Sequence, residues 1–145
     1  MGTDFCIRRI GIAVRNLERA SAMYSMILGS EFRPVSGGRT EEVLCTECDC
    51  GGGRPTIELT QPVDDEGALA RFIRKRGEGV HHLSVLVPDL DQAVLRIAAA
   101  GGRIVHTTSH YRRADGSPLK EAFIHPKDAH GVLFHLVEED SGDFA

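Results

Sequence analysis

The chain has 145 residues, of which 41% are hydrophobic, so it is long enough to bury one continuous core. Seventeen Lys and Arg residues against 21 Asp and Glu residues give a formal charge of −4 at pH 7, which argues against nucleic acid or an anionic membrane surface as a partner. No apolar run approaches the roughly 20 residues of a membrane span, and the first residues lack the apolar region of a signal peptide. We therefore expect a single cytoplasmic domain over residues 1–145.

The chain contains one pattern of residue types twice, in residues 9–20 and in residues 82–93. In each segment a run of apolar and β-branched residues leads into Asn16 or Asp89, whose side chains suit a helix N-cap. Apolar residues then recur at helical spacing, which predicts one buried face for each helix. They are Leu17, Ala20, Tyr24, Ile27 and Leu28 in the first helix and Leu90, Ala93, Val94, Ile97 and Ala98 in the second.

Shorter strand-like segments follow each predicted helix. Glycines end the two helices, at Gly29 and at Gly101–Gly102. Runs of apolar and β-branched residues bounded by turn-forming residues come next. They include residues 42–50 and 56–61 in the first half and residues 122–125 and 132–137 in the second. The repeated order is therefore βαβββ.

These elements predict an α+β fold made of two βαβββ modules. Module one covers residues 5–62, a linking helix lies within residues 66–76, and module two covers residues 79–139. Each module has too few strands to enclose a core, so both halves are needed to complete one curved, eight-stranded cup.

Polar residues stand at equivalent places in the two modules. Arg9 and His82 begin equivalent first strands, and Glu58 and His135 lie in equivalent last strands. Glu58 and His135 have apolar neighbours on both sides, so we expect their side chains to point into the cup. Two imidazoles and a carboxylate suit zinc, cobalt, nickel, manganese or ferrous iron. Glu58, His82 and His135 are therefore predicted ligands of a divalent metal ion.

Arg9 supports an alternative without metal. A guanidinium cannot ligate a metal and stays protonated, so Arg9 would swing out of the cup, pair with Glu58 or face an anionic substrate. A metal-free site with an Arg9–Glu58 ion pair stays open. Loop residues could contact the phosphates of a ligand: His110, Arg112, Arg113 and His125–Lys127.

Several of these segments resemble the vicinal oxygen chelate superfamily, and within it the methylmalonyl-CoA epimerases. The resemblance covers nearly the whole chain. The matching runs are Ile10–Val14, Ile57–Leu59 with Pro62, Arg74–His82, Phe123–Asp128 and Gly131–Leu133.

The resemblance implies a glyoxalase-like fold, a homodimer, and a divalent metal ion that chelates adjacent oxygens of a substrate such as an acyl-CoA. In that family the metal stabilises the enolate left when a proton leaves the α-carbon. Glu58 and His82 match family ligands, whereas Arg9 replaces a ligand histidine and His135 replaces a ligand glutamate that lies near the reacting carbon. A second family glutamate, implicated in proton transfer, falls near Glu42.

We therefore expect a metal-dependent isomerase or epimerase of an acyl-CoA or a related carbonyl compound, with an altered metal site. Glu42, His135 and Arg9 are its predicted catalytic residues. Two alternatives stay open: an iron-dependent dioxygenase that uses two histidines and one carboxylate, and a non-catalytic protein that binds or sequesters a small molecule.

Overall fold

The computed structural model describes residues 5–39, 42–52, 55–105, 116 and 120–138. These residues form two compact units. Unit one consists of residues 9–81, and unit two consists of residues 82–138 together with residues 5–8. Each unit is described by itself, and the predicted closure of both halves into one cup stays a prediction.

The described residues form eight strands, three α-helices and one short 3₁₀ helix. In chain order they are β1 Cys6–Ala13, α1 Leu17–Leu28, β2 Arg33–Arg39, β3 Val43–Asp49, β4 Thr56–Pro62, α2 Ala68–Arg76, β5 Gly79–Val87, α3 Leu90–Ala99, β6 Ile104–Val105, β7 Lys120–Ile124, the 3₁₀ helix Pro126–Ala129, and β8 Leu133–Glu138. Among the helices of this described part, none is both long and apolar enough to cross a membrane.

The two units share one topology. In unit one the strands lie in the order β2-β3-β4-β1, with β4 parallel to β1 and antiparallel to β3. In unit two the order is β6-β7-β8-β5, with β8 parallel to β5 and antiparallel to β7. Gly11 pairs with Glu58 in unit one, as Ser84 pairs with His135 in unit two. The α+β class, the paired βαβββ modules and the equivalence of Glu58 with His135 are confirmed.

Local capping residues set the helix ends. The Asn16 side chain accepts a hydrogen bond from the Arg19 amide at 2.8 Å, and Asp89 accepts one from the Gln92 amide at 2.9 Å. Gly29 ends α1 in the left-handed conformation, with φ of 64°, which a residue without Cβ adopts at no steric cost. Both predicted N-caps and the predicted stop at Gly29 are confirmed.

The Asn16 cap provides a first test of stability. We expect Asn16→Ala to lower the free energy of unfolding by about 1 kcal/mol, because the Arg19 amide loses its acceptor. Urea unfolding followed by circular dichroism measures this change. Asn16→Ser retains a capping oxygen and should stay within a few tenths of a kcal/mol of the parent; an equal loss in both variants would contradict the capping role.

One face of the unit-one sheet packs under α1. Leu59 is fully buried there, and α1 contributes Leu17, Ala20 and Tyr24 to the same apolar cluster. The prediction that one face of α1 is buried along its whole length is wrong for the last residues of the helix. Ile27 is 66% exposed and Leu28 is 44% exposed, because both lie on the next helical turn, beyond the cluster that ends at Tyr24.

The corresponding face of unit two packs under α3. Leu90 and Ala93 of α3 are buried against Val85 and Leu136, which lie on β5 and β8. Side chains alternate between the two faces of a strand, so the neighbours of these core residues point to the opposite face. On that opposite face both units carry polar side chains.

Candidate functional site

A buried ion pair lies on the polar face of unit one, which we define by Arg9, Cys45, Glu47, Glu58 and Thr60. Arg9 Nη1 lies 3.0 Å from Glu58 Oε2, and Arg9 Nη2 lies 3.4 Å from Glu47 Oε2. Arg9 is 7% exposed and Glu58 is 4% exposed. The ion pair that the metal-free alternative predicts is therefore formed.

The charges on this face continue toward β2. Arg33 Nη2 lies 2.7 Å from Asp49 Oδ2 and 3.5 Å from Glu47 Oε1. The hydrogen bond to Asp49 raises the pKa of Arg33 further above its ordinary value. One line of alternating charge thus runs through Glu58, Arg9, Glu47, Arg33 and Asp49, in which each carboxylate has a guanidinium beside it.

Cys45 lies next to this line of charges. Its Sγ donates to Thr60 Oγ1 at 3.5 Å, and Thr60 Oγ1 donates to Glu58 Oε1 at 3.3 Å. Burial, followed by the nearby charge of Glu58, raises the pKa of the Cys45 thiol to about 11. Because the thiolate is the reactive form, Cys45 is poorly suited to act as a nucleophile.

The raised pKa predicts the reactivity of this thiol. At pH 8 we expect iodoacetamide to modify Cys45 roughly 100-fold more slowly than an ordinary exposed cysteine, because so little of it is thiolate. Peptide mapping after timed labelling measures the rate, and labelling in concentrated urea provides the control. Equal Cys45 rates in the folded and unfolded protein would contradict the prediction.

A hydrogen-bonded chain crosses the polar face of unit two, which we define by His82, Ser84, Glu121 and His135. The ring of His135 lies between two partners: Ser84 Oγ at 2.8 Å from Nδ1, and Glu121 Oε2 at 2.8 Å from Nε2. Ser84, Glu121 and His135 are all buried. A carboxylate only accepts, so the contact with Glu121 places a proton on Nε2 and leaves Nδ1 to accept from the Ser84 hydroxyl.

Two aromatic contacts fix the orientation of the His135 ring. Phe123, which is paired with His135 across β7 and β8, stacks on it with ring centroids 4.4 Å apart and an interplanar angle of 11°. His82 approaches edge-on, with centroids 6.4 Å apart. His135 is thus an imidazole whose plane and hydrogen-bond roles are set by its neighbours.

Among the described residues, Glu42 lies apart from the polar face of unit one. Glu42 is exposed just before β3, and its backbone carbonyl accepts from the Val63 amide at 2.9 Å. Glu58 pairs with Glu47, so Glu42 is about 16 Å farther along the strand. Its catalytic role stays a prediction. His110, Arg112 and Arg113 lie outside the described residues.

His125, a predicted phosphate contact, and the nearby Arg103 both have partners within the protein. The His125 side chain caps the 3₁₀ helix by accepting from the Lys127 amide at 3.1 Å. Arg103 forms an exposed ion pair with Asp128 at 2.9 Å, and its hydrogen bonds lower the pKa of Asp128 to about 2. These contacts account for the conformation of the loop without a ligand.

A cavity of about 470 Å³ lies on the other side of the unit-two sheet, under the end of α3. Its walls include Ile97, Ile124, Phe134 and Leu136. Ile124, Phe134 and Leu136 occupy the face opposite His135, because strand neighbours alternate. The cavity is therefore separate from the polar face of unit two.

The resemblance implies a divalent metal ion, and the observed contacts test whether these residues fit one. The Glu58 carboxylate lies beside the Arg9 guanidinium, whose charge repels a cation, and hydrogen bonds occupy both nitrogens of His135. Within either unit, the described residues place no three His, Cys, Asp or Glu side chains to hold a metal ion. As arranged, these residues do not fit a divalent ion. The ligand set of Glu58, His82 and His135 stays a prediction.

Three of the polar residues that contact Arg9 or His135 were not among the predicted site residues. They are Glu47, Ser84 and Glu121. Ser84 lies two residues after His82 on the same strand, so side-chain alternation alone places it on the polar face. Glu47 and Glu121 required knowledge of the strand pairing.

The chain belongs to the glyoxalase/bleomycin resistance protein/dioxygenase superfamily, whose family model matches residues 8–123. Its relatives include methylmalonyl-CoA epimerases. The ethylmalonyl-CoA/methylmalonyl-CoA epimerase of Cereibacter sphaeroides is 30% identical over 131 residues, which cover 90% of this chain and 95% of the relative.

Solved structures of methylmalonyl-CoA epimerases have a fold similar to that of this chain. The crystal structure of methylmalonyl-CoA epimerase from Mycobacterium tuberculosis has a TM-score of 0.74 at 32% identity, covering 94% of this chain and 89% of that chain. A methylmalonyl-CoA epimerase in complex with methylmalonyl-CoA and NH4+ has a TM-score of 0.72 at 29% identity, and the match covers 94% of this chain and 95% of that chain. The glyoxalase-like fold implied by the sequence is confirmed.

Proposed function

We propose that this chain is an isomerase of the methylmalonyl-CoA epimerase type, which moves a proton at the carbon next to the thioester carbonyl of an acyl-CoA. Relatives that carry this name support the substrate class. The single observation that carries the proposal is the chain Glu121–His135–Ser84, because a histidine held by a carboxylate is a suitable general base.

His135 is the proposed base. Its Nδ1 takes the α-proton once the Ser84 hydroxyl rotates away, and the imidazolium formed donates from Nε2 to the Glu121 carboxylate. Phe123, stacked on the ring, keeps Nδ1 in a fixed direction. Glu121 is then a positioning residue, which holds the tautomer and stabilises the charged ring.

Arg9 and Glu42 stay predicted catalytic residues. A guanidinium binds carboxylate and enolate oxygens well, so Arg9 would suit the anionic part of a substrate. Inversion also requires a proton donor on the other side of the α-carbon, and Glu42 is the residue that the sequence predicts for that role. Exchange of the α-proton with solvent requires the base alone, so it is the partial reaction that isolates His135.

The test is deuterium incorporation into methylmalonyl-CoA and ethylmalonyl-CoA in D2O, followed by mass spectrometry with and without a chelator. We expect exchange by the parent chain and a 10²- to 10⁴-fold loss in His135→Gln. Glu31→Gln, which changes an exposed carboxylate, is the matched control. The absence of exchange with both thioesters, or an undiminished rate in His135→Gln, would reject the proposal.

A non-catalytic binding protein is the second candidate, and the Arg9–Glu58 ion pair favours it. Such a protein would bind a carboxylate-bearing ligand without exchanging its protons. Calorimetry with the same acyl-CoAs, combined with the exchange assay, separates the two candidates. Oxygen uptake with ferrous iron and catechols tests the dioxygenase alternative. A homodimer and a cytoplasmic location stay predictions.

A further inference from the structure

Two carboxylates face each other across the β3–β4 ladder of unit one. Glu47 and Glu58 are direct partners in the antiparallel register. Like charges at directly opposite positions destabilise a pair of strands, and a buried charge needs a partner of opposite sign. The strand pairing therefore requires a cation at this place.

Arg9 supplies a cation that reaches both carboxylates, whereas Arg33 contacts Glu47 alone of the two, at 3.5 Å. One arm of its guanidinium lies 3.0 Å from Glu58 and the other lies 3.4 Å from Glu47, so one side chain spans both carboxylates. Unit two has no such requirement at the equivalent pair of positions. There Phe123 faces His135, and the contact is an aromatic stack.

We propose that Arg9 is a resident cation that replaces a metal ion on the polar face of unit one. The chain then keeps Glu47 and Glu58 together without a divalent metal. One consequence concerns Arg9→His: a neutral imidazole beside two carboxylates offers three donors of the type that zinc and cobalt accept. This variant should therefore acquire a metal site. The proposal goes beyond the proposed function and does not rest on it.

The experiment measures metal content and the melting temperature of the full chain, in EDTA and with equimolar Co²⁺. We expect the parent chain to purify without stoichiometric divalent metal and to melt at the same temperature in EDTA and in Co²⁺. Arg9→His should melt on the order of 10 °C lower in EDTA, because Arg33 still contacts Glu47 but the guanidinium that lies between the two carboxylates is gone. Co²⁺ should recover at least half of this loss and give a visible absorption band.

Three further variants make the result specific. Arg9→His with Glu47→Gln should lose the Co²⁺ response, because one carboxylate donor is gone. Arg15→His changes an exposed arginine that pairs with Glu78 at 3.6 Å, so it should respond like the parent. If Arg9→His does not fold, Arg9→Met is measured in its place. Arg9→Met combined with Glu47→Gln and Glu58→Gln should be more stable than Arg9→Met alone, because neither carboxylate then needs a cation.

Two results would overturn the proposal. One is a parent chain that holds one divalent metal per chain and melts at a lower temperature once the metal is chelated. The other is an Arg9→His chain that is as stable as the parent in EDTA. Neither readout requires turnover, so a failed exchange assay with acyl-CoAs leaves this test intact.

Discussion

Replacing His135 with leucine is expected to lower the free energy of unfolding by about 3 kcal/mol or more. The change removes a ring stacked on Phe123 and deprives the buried Glu121 carboxylate of a donor at 2.8 Å. Removing the donor of a buried carboxylate costs about 3 kcal/mol or more, because the remaining charge stays unsatisfied in a poorly solvated place. Urea unfolding of the parent and the variant, compared at equal m-values, measures the loss.

A double-mutant cycle separates this interaction from simple loss of packing. Glu121→Leu alone should be similarly destabilising, whereas His135→Leu combined with Glu121→Leu should cost clearly less than the sum, because both polar partners are removed together. Glu31→Leu, at an exposed position, should stay within about 0.5 kcal/mol of the parent. Additive losses in the cycle would mean that the His135–Glu121 contact does not form in solution.

Helix positions were predictable because their signals are local. Asn16 and Asp89 each cap a helix that begins at the following residue, as their side-chain chemistry indicates. The linking helix spans Ala68–Arg76, inside the predicted range of residues 66–76. Capping and helical periodicity depend on neighbours within one or two turns, so the sequence contains the required information.

Strands β2 and β6 carry no comparable local signal in their sequences. β2 contains Pro34, Gly37 and Gly38, which are poor strand formers, yet it exists as the edge strand of unit one, where an unpaired side tolerates proline. β6 has two residues and is too short to show alternation. Both strands exist because a neighbouring strand pairs with them, and this pairing is not encoded in their own composition.

The polar faces were predictable in part, because alternation within a strand is a local signal whereas strand pairing is not. Alternation along β4 and β8 indicated that Glu58 and His135 share a face with other polar groups. Their partners Glu47 and Glu121 are brought in by β3 and β7, and the register between strands depends on turn geometry as well as on the hydrophobic pattern, so spacing within one strand does not give it. The predicted strand at residues 122–125 also began one residue too late to include Glu121.

Leu59→Ala is expected to be the most damaging single change in the core of unit one. Leu59 is fully buried on β4 and packs in one cluster with Ile12 and Val14. Truncation removes buried methyl groups and leaves a cavity that rigid strand neighbours fill incompletely, which costs about 3–5 kcal/mol. In a domain of this size, the expected fall in melting temperature is on the order of 10 °C. Thermal and urea unfolding of the same samples measure both quantities.

Leu95→Ala is the matched control, because it makes the same change at a side chain that is 61% exposed on α3. It should stay within about 0.5 kcal/mol of the parent, since little apolar surface leaves water there on folding. A Leu59→Ala loss no larger than that of Leu95→Ala would show that the sheet does not pack under α1 as described. A loss of the expected size would support the packing of Leu59 under α1.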